Sequence, residues 1–144
     1  METFYKSLYV VQATLMHLFW KTWVYHWNVT GKDFQQLHIL FGNQYEFMFE
    51  ELDKLSEHMR YFDIKALGPL SIVQDTSVID DVLVNTDDIS MISNLLQNNQ
   101  TLIDELKNLN REAEAVGQSQ TGNLAQQMME DHGKFVWMLR STLK

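Results

Sequence analysis

A stripe of apolar residues runs unbroken from Phe34 to Met59: Phe34, Leu37, Phe41, Tyr45, Met48, Leu52, Leu55 and Met59. Steps of three and four fit one face of an α-helix and exclude a strand, whose side chains alternate with period two. A helix this long cannot bury its stripe alone, so it needs neighbours of similar length lying alongside it.

Three further stripes supply those neighbours. The first helix is expected from about residue 3 to residue 28, with Phe4, Leu8, Val11, Leu15, Leu18, Thr22 and Tyr25 on one face. It stops at the turn signal Asn28-Val29-Thr30-Gly31. Asp33 is placed to cap the second helix, which runs to about Arg60. Residues 61–86 then break the pattern around Gly68-Pro69 and read as a long crossover carrying a short helix, with 71–75 and 77–84 as candidate segments. Thr86 or Asp87 caps a third long helix with Ile89, Ile92, Leu95, Leu102, Leu106, Leu109, Ala113 and Val116 inward, ending at Gly117. The fourth starts between Ser119 and Thr121 and carries Leu124, Met128, Phe135, Leu139 and Leu143. The fold class is therefore all-α. Two helices, one long connection and two more helices make a ferritin-like four-helix bundle with a long crossover, filling residues 1–144 as a single domain.

Composition removes several kinds of function. There is no cysteine, which excludes disulfides, thiolate metal sites and cysteine nucleophiles. The net charge of −8 opposes a surface that grips nucleic-acid phosphates, and no basic tail precedes the first helix. The amino-terminal stretch reads as an amphipathic helix and not as a signal peptide, and no apolar run reaches the roughly 18 residues of a membrane span. A cytoplasmic protein without membrane association is expected.

Metal-ligand side chains recur between His26 and Arg60, at His26, His38, Asp53 and Glu57. His38 and Asp53 belong to one helix, and fifteen residues at helical rise put them about 22 Å apart. No single ion spans that distance. Either these residues are unrelated, or the carboxylates of one chain meet the histidines of another. Asp53 and Glu57, four apart, share one helix face. A Glu-x-x-His pair of the kind that builds di-iron sites inside such bundles is absent: Thr14, Trp23, Gln35, Leu55 and Met129 stand three residues before the five histidines. The bundle interior is expected to be apolar, with the methionine and aromatic stripe as core.

The run His26-Trp27-Asn28-Val29-x-Gly31-x-x-Phe34-x-x-Leu37-His38-x-x-Phe41-x-x-x-Tyr45, followed by Asp53-x-x-x-Glu57-x-x-Arg60, resembles the signature of the Dps family of miniferritins. Trp137-Met138-Leu139-Arg140 resembles that family's last helix. The resemblance implies a homo-oligomer, a hollow shell of twelve subunits. Such shells oxidise Fe(II) with hydrogen peroxide or dioxygen, store ferric iron and protect against oxidative damage. It further implies ferroxidase sites at two-fold interfaces, where His26 ligates one iron with Asp53 and Glu57 of the neighbouring chain. His38 then helps to hold a second iron, and Trp27 and Tyr45 lie close by. Carboxylate oxygen with imidazole nitrogen suits Fe(II), and Zn2+ would bind as a surrogate.

Three departures qualify that expectation. Gly42 stands where the family pattern has an acid, four residues after the second histidine, and neither Asn43 nor Glu46 is an obvious substitute. The start of the fourth helix carries Gln118, Gln120, Asn123, Gln126 and Gln127, less acidic than the cation pores of many relatives. A lysine-rich tail is missing, which argues against direct DNA binding. Three readings follow: an iron-oxidising store, a shell that keeps its metal-binding fold but has lost its catalysis, and a DNA-protecting nucleoid binder. His17, His58 and His132 read as packing or surface residues, with His58 adjacent enough to Glu57 to perturb the site. Asp80-Asp81 and Asp87-Asp88 read as solvated or capping acids.

Overall fold

In a computed structural model describing all of residues 1–144, five helices follow one another: α1 (Glu2–Asn28), α2 (Phe34–Arg60), α3 (Leu70–Thr76), α4 (Asp88–Ala115) and α5 (Ser119–Thr142). The ends obey local chemistry. Asp87 caps α4 by accepting the Ser90 amide at 2.8 Å, a bond that holds its carboxyl below the usual range. Gly117, at φ +73°, closes α4: its amide returns to Glu114 and that of Gln118 to Ala113. Asp33 occupies the N-cap of α2 but makes no capping bond with its side chain, so that expectation fails. Only one of the two candidate crossover segments is helical, and residues 77–84 have no helix.

Cross-helix pairs fix the topology. Gln12 meets Ser56 and His26 meets His38, so α1 and α2 are antiparallel. Lys21 meets Asn98 and Tyr25 meets Asn94, so α1 and α4 are antiparallel too. Glu51 meets His132 and His58 meets Thr121, which sets α5 antiparallel to α2. The four long helices thus run up-down-down-up, as the single long crossover requires. Phe4, Leu8, Leu15, Leu18, Phe41, Met48, Leu55, Leu95, Leu102, Leu106 and Leu139 are fully buried in one core.

The seam between α2 and α5 differs from the others. Backbones of α1 and α2, α1 and α4, and α4 and α5 approach closely, whereas α2 and α5 meet mainly through side chains. Phe47 and Phe135 pack edge to face at 5.5 Å, and His58 Nε2 lies 2.8 Å from Thr121 Oγ1. Between them, His132 Nε2 lies 2.7 Å from Glu51 Oε1, and His132 Nδ1 donates to Asn99 Oδ1 at 2.7 Å. Asn99 is oriented for this because its amide nitrogen donates to Leu95 O at 2.8 Å. The interior is therefore not wholly apolar. On α2 the buried row is Leu37, Gln44, Glu51 and His58, spaced by seven, beside Phe41, Met48 and Leu55. Tyr45 and Leu52, placed inward by the sequence pattern, sit at the edge of the core, and Phe34 and Ile89 are exposed.

The crossover is clamped onto one row of α1. Thr14 Oγ1 accepts the Val78 amide, His17 bonds Ser77 and Asp81, and Lys21 donates to Asp80 at 3.2 Å and to Asn98 at 2.6 Å. Tyr25 accepts the Leu83 amide at 3.0 Å. Burial lowers the Lys21 ammonium pKa despite the opposing charge of Asp80. Burial acts against the Asp80 carboxylate as well, but hydrogen bonds from Asn98 and Asn94 and the Lys21 charge outweigh it and hold its pKa low. Asp81 is held low by the Val82 amide and His17. Asp80 and Asp81 are thus neither simply solvated nor capping; they fasten the crossover to the bundle.

Two outcomes follow. Carboxylates with depressed folded pKa values contribute stability that is present above their unfolded pKa and lost as pH falls through the folded one. Amide exchange should therefore show residues 77–84 loosening ahead of the bundle as pH drops below about 4. At the seam, Glu51→Leu or His132→Leu alone strands a buried polar partner and should cost about 3 kcal/mol in denaturant unfolding. The double variant should cost clearly less than the sum of the two.

Candidate metal centre

The turn 29–33 brings the last turn of α1 against the first turns of α2, and with them His26 and His38. Their imidazoles stack at 3.8 Å between centroids with 14° between planes. His26 Nδ1 donates to the backbone carbonyl of His38 at 2.6 Å, and His38 Nδ1 donates to that of His26 at 2.7 Å. A carbonyl only accepts, so both Nδ1 atoms carry hydrogen and both Nε2 atoms of the neutral rings keep a lone pair. Backbone carbonyls here play the orienting part that outer partners play for metal-bound histidines. Imidazole lone pairs lie in the ring plane. Stacked near-parallel rings cannot direct both onto one ion, so each ring offers its own ligand position.

Gly42 has a second meaning beyond its missing carboxylate. A Cβ there would lie 3.0 Å from His26 Cε1 and 3.1 Å from Nδ1. The His26 ring rests on the bare backbone of α2, and any side chain at position 42 would push against a ring already held by its hydrogen bond and stack. Phe34, exposed at the start of α2, stacks on the other ring at 5.2 Å from His38.

Asp53 and Glu57 are exposed on α2 and do not join this pair. No group of three or more His, Asp and Glu side chains able to hold a metal forms within one chain. Around the histidines lies an aromatic cluster. Tyr45 packs 5.1 Å from His26 and 5.3 Å from Trp23, and Trp23 lies 4.8 Å from Trp27 and 6.1 Å from Trp20. Trp20 is 48% exposed, Trp27 50% and Phe49 59%, so aromatic rings outside the buried stripes form a surface in the single chain. Patches of this kind mark association surfaces.

The other histidines are structural. His17 holds the crossover, and His132 is fully buried in the α2–α5 seam. His58 is buried as well, turned toward Thr121 while Glu57 faces solvent; burial and then the Lys54 charge lower its pKa. Glu51 is the acid that sequence reasoning missed. Its signal was the period of seven linking Leu37, Gln44, Glu51 and His58. No helix is long and apolar enough to cross a membrane.

The family model for the ferritin-like domain matches residues 6–144. A DNA protection during starvation protein from Helicobacter pylori is 29% identical over 144 residues, covering 99% of each chain. Among solved structures, Dps from Thermosynechococcus elongatus superposes with a TM-score of 0.95 at 23% identity, over 99% of this chain and 91% of that one. Dps from Vibrio cholerae, described as a member of a broad superfamily of ferritin-like diiron-carboxylate proteins, gives 0.94 at 24% identity over 99% and 90%. The chain belongs to the ferritin-like family and is, in fold, a Dps-like miniferritin.

Proposed function

We propose that this protein binds and oxidises Fe(II) at sites shared between two subunits and stores the ferric product, limiting oxidative damage. The observation that carries this reading is the reciprocal lock on His26 and His38, which occupies both Nδ1 atoms, leaves both Nε2 atoms uncommitted and stacks the rings beside exposed aromatics. Two histidines do not hold iron on their own. The missing oxygen ligands are Asp53 and Glu57 of a second chain, brought across a two-fold interface, because the same residues of the first chain lie too far along α2. Exposed Trp20, Trp27 and Phe49 are the apolar surface that such an interface would cover. The assembly proposed is the family's twelve-subunit shell.

Within the site, His26 takes one Fe(II) together with the neighbour's Asp53 and Glu57. His38 offers the adjacent position. Peroxide accepts two electrons, so two Fe(II) side by side match its reduction to water with uptake of two protons. The carboxylates favour the ferric product by neutralising its charge. Tyr45 and Trp23, in ring contact beside His26, are placed to quench one-electron oxidants that escape.

One observation favours a second reading, a shell that binds metal without oxidising it: position 42 lacks the family's acid. A DNA-protecting role, suggested by the name of the Helicobacter relative, is opposed by the net charge of −8.

Anaerobic Fe(II) titration followed by peroxide addition tests the proposal. The wild type should bind iron saturably and form ferric product in a peroxide-dependent burst, and His26→Ala should lose tight binding. Saturable binding without oxidation above buffer would favour the second reading. If neither occurs, the iron reading fails.

A further inference from the structure

We infer that Glu46 supplies, from the same chain as His26 and His38, the carboxylate that Gly42 does not. The inference rests on the reading of those histidines as iron ligands and adds a residue to it.

The placement is helical geometry. Glu46 is one turn beyond Gly42, and residues four apart on a helix are surface neighbours, about 5–6 Å between Cβ atoms. Helical side chains lean toward the helix N-terminus and cover the turn before their own Cα. Glu46 therefore leans over position 42. At most positions a side chain would stand there. Here there is none, and what lies against that bare backbone is the His26 ring itself, within 3.0 Å of a hypothetical Cβ. In the single chain Glu46 does not group with the two histidines; a rotamer that carries its carboxylate over Gly42 would bring it beside the His26 imidazole. An acid at position 42 would press its Cβ on that ring, whereas Glu46 would approach from the next turn.

Alternatives on the same helix are worse placed. Asn43 is rotated about 100° away, and Asp33 lies on the opposite side of the helix from position 42. Glu50 falls on the same stripe but two turns on, about 12 Å along the axis. Glu46 itself is exposed and makes no hydrogen bond or ion pair within the chain, so no interaction must break for it to turn toward a cation.

Anaerobic Co(II) titration of the assembled protein, followed by its visible absorption, tests this without turnover. Glu46→Gln keeps size and hydrogen bonding but removes the charge. The weakest-bound Co(II) in the site should lose at least about tenfold in affinity, with a changed absorption band. Glu50→Gln, the neighbouring exposed acid, should leave both unchanged. Equal weakening in both variants would mean a general loss of negative potential and would overturn the inference. So would wild-type binding in Glu46→Gln when His26→Ala abolishes it, an outcome that leaves the histidine site standing. Wild-type binding in His26→Ala would remove the site reading, and this inference with it.

Discussion

Each of two helices holds the other's imidazole. The His26 ring, rooted in α1, is fixed by a carbonyl of α2, and the His38 ring, rooted in α2, by a carbonyl of α1. That exchange sets several things at once. It fixes the register of the α1–α2 hairpin at its turn. It settles which nitrogen of each ring carries hydrogen. It leaves each Nε2 with its lone pair, in two stacked planes that cannot both aim at one ion. It also crowds position 42, where a Cβ would require the His26 ring to give by a few tenths of an ångström. The glycine weakens α2 by about 1 kcal/mol of helix propensity relative to alanine. The helix tolerates this because Phe41, Met48 and Leu55 anchor it in the core.

A rigid helix is also a ruler. Because α2 continues to Arg60 as one element, Asp53 and Glu57 are carried away from the histidines by a distance no side-chain motion closes. The centre proposed here is then divided by construction, imidazoles at one end of α2 and carboxylates toward the other, and two antiparallel copies of the helix would complete two centres. Metal binding and assembly become linked: an ion shared across the interface stabilises the pair, and the pair raises affinity for the ion. The exposed tryptophans beside His26 fit this, since apolar surface next to a half-built metal site is what an interface covers.

The fold was legible because it rests on periodicity, and four stripes with one long interruption admit few arrangements. The stripe on α2 shows where such reading slips. Choosing the most apolar residues puts Tyr45 and Leu52 inward, yet the buried positions are Gln44 and Glu51, one residue earlier. A sequence pattern rewards hydrophobicity, while burial of Glu51 rests on a partner, His132, that lies 81 residues away; Gln44 is buried with no partner for its amide. The same blindness hid the roles of Asp80 and Asp81, whose partners on α1 precede them by about sixty residues. His26 and His38 stood out in the sequence by their spacing, and the structure brings their rings together. Their shared geometry was not legible, since spacing says nothing about which backbone carbonyl a ring nitrogen finds.

Polar residues on α2 sort into two sets by angle alone. Gln44, Glu51 and His58 point inward at intervals of seven, where Glu51 and His58 tie α2 to α5. Glu46, Glu50, Asp53 and Glu57 fall with Gly42 within about 80° of arc on the outer side. Two of the inner set have partners, Glu51 Oε1 against imidazole and His58 against hydroxyl, while the Gln44 amide and Glu51 Oε2 are buried without one. The outer set makes no ion pair within the chain and concentrates negative charge along one exposed face. Four carboxylates in a row repel one another and weaken the isolated subunit. That repulsion would be relieved where cations or the histidine-bearing end of a second chain came to lie at Glu46, Asp53 and Glu57, so the feature that disfavours the lone chain would favour the loaded assembly.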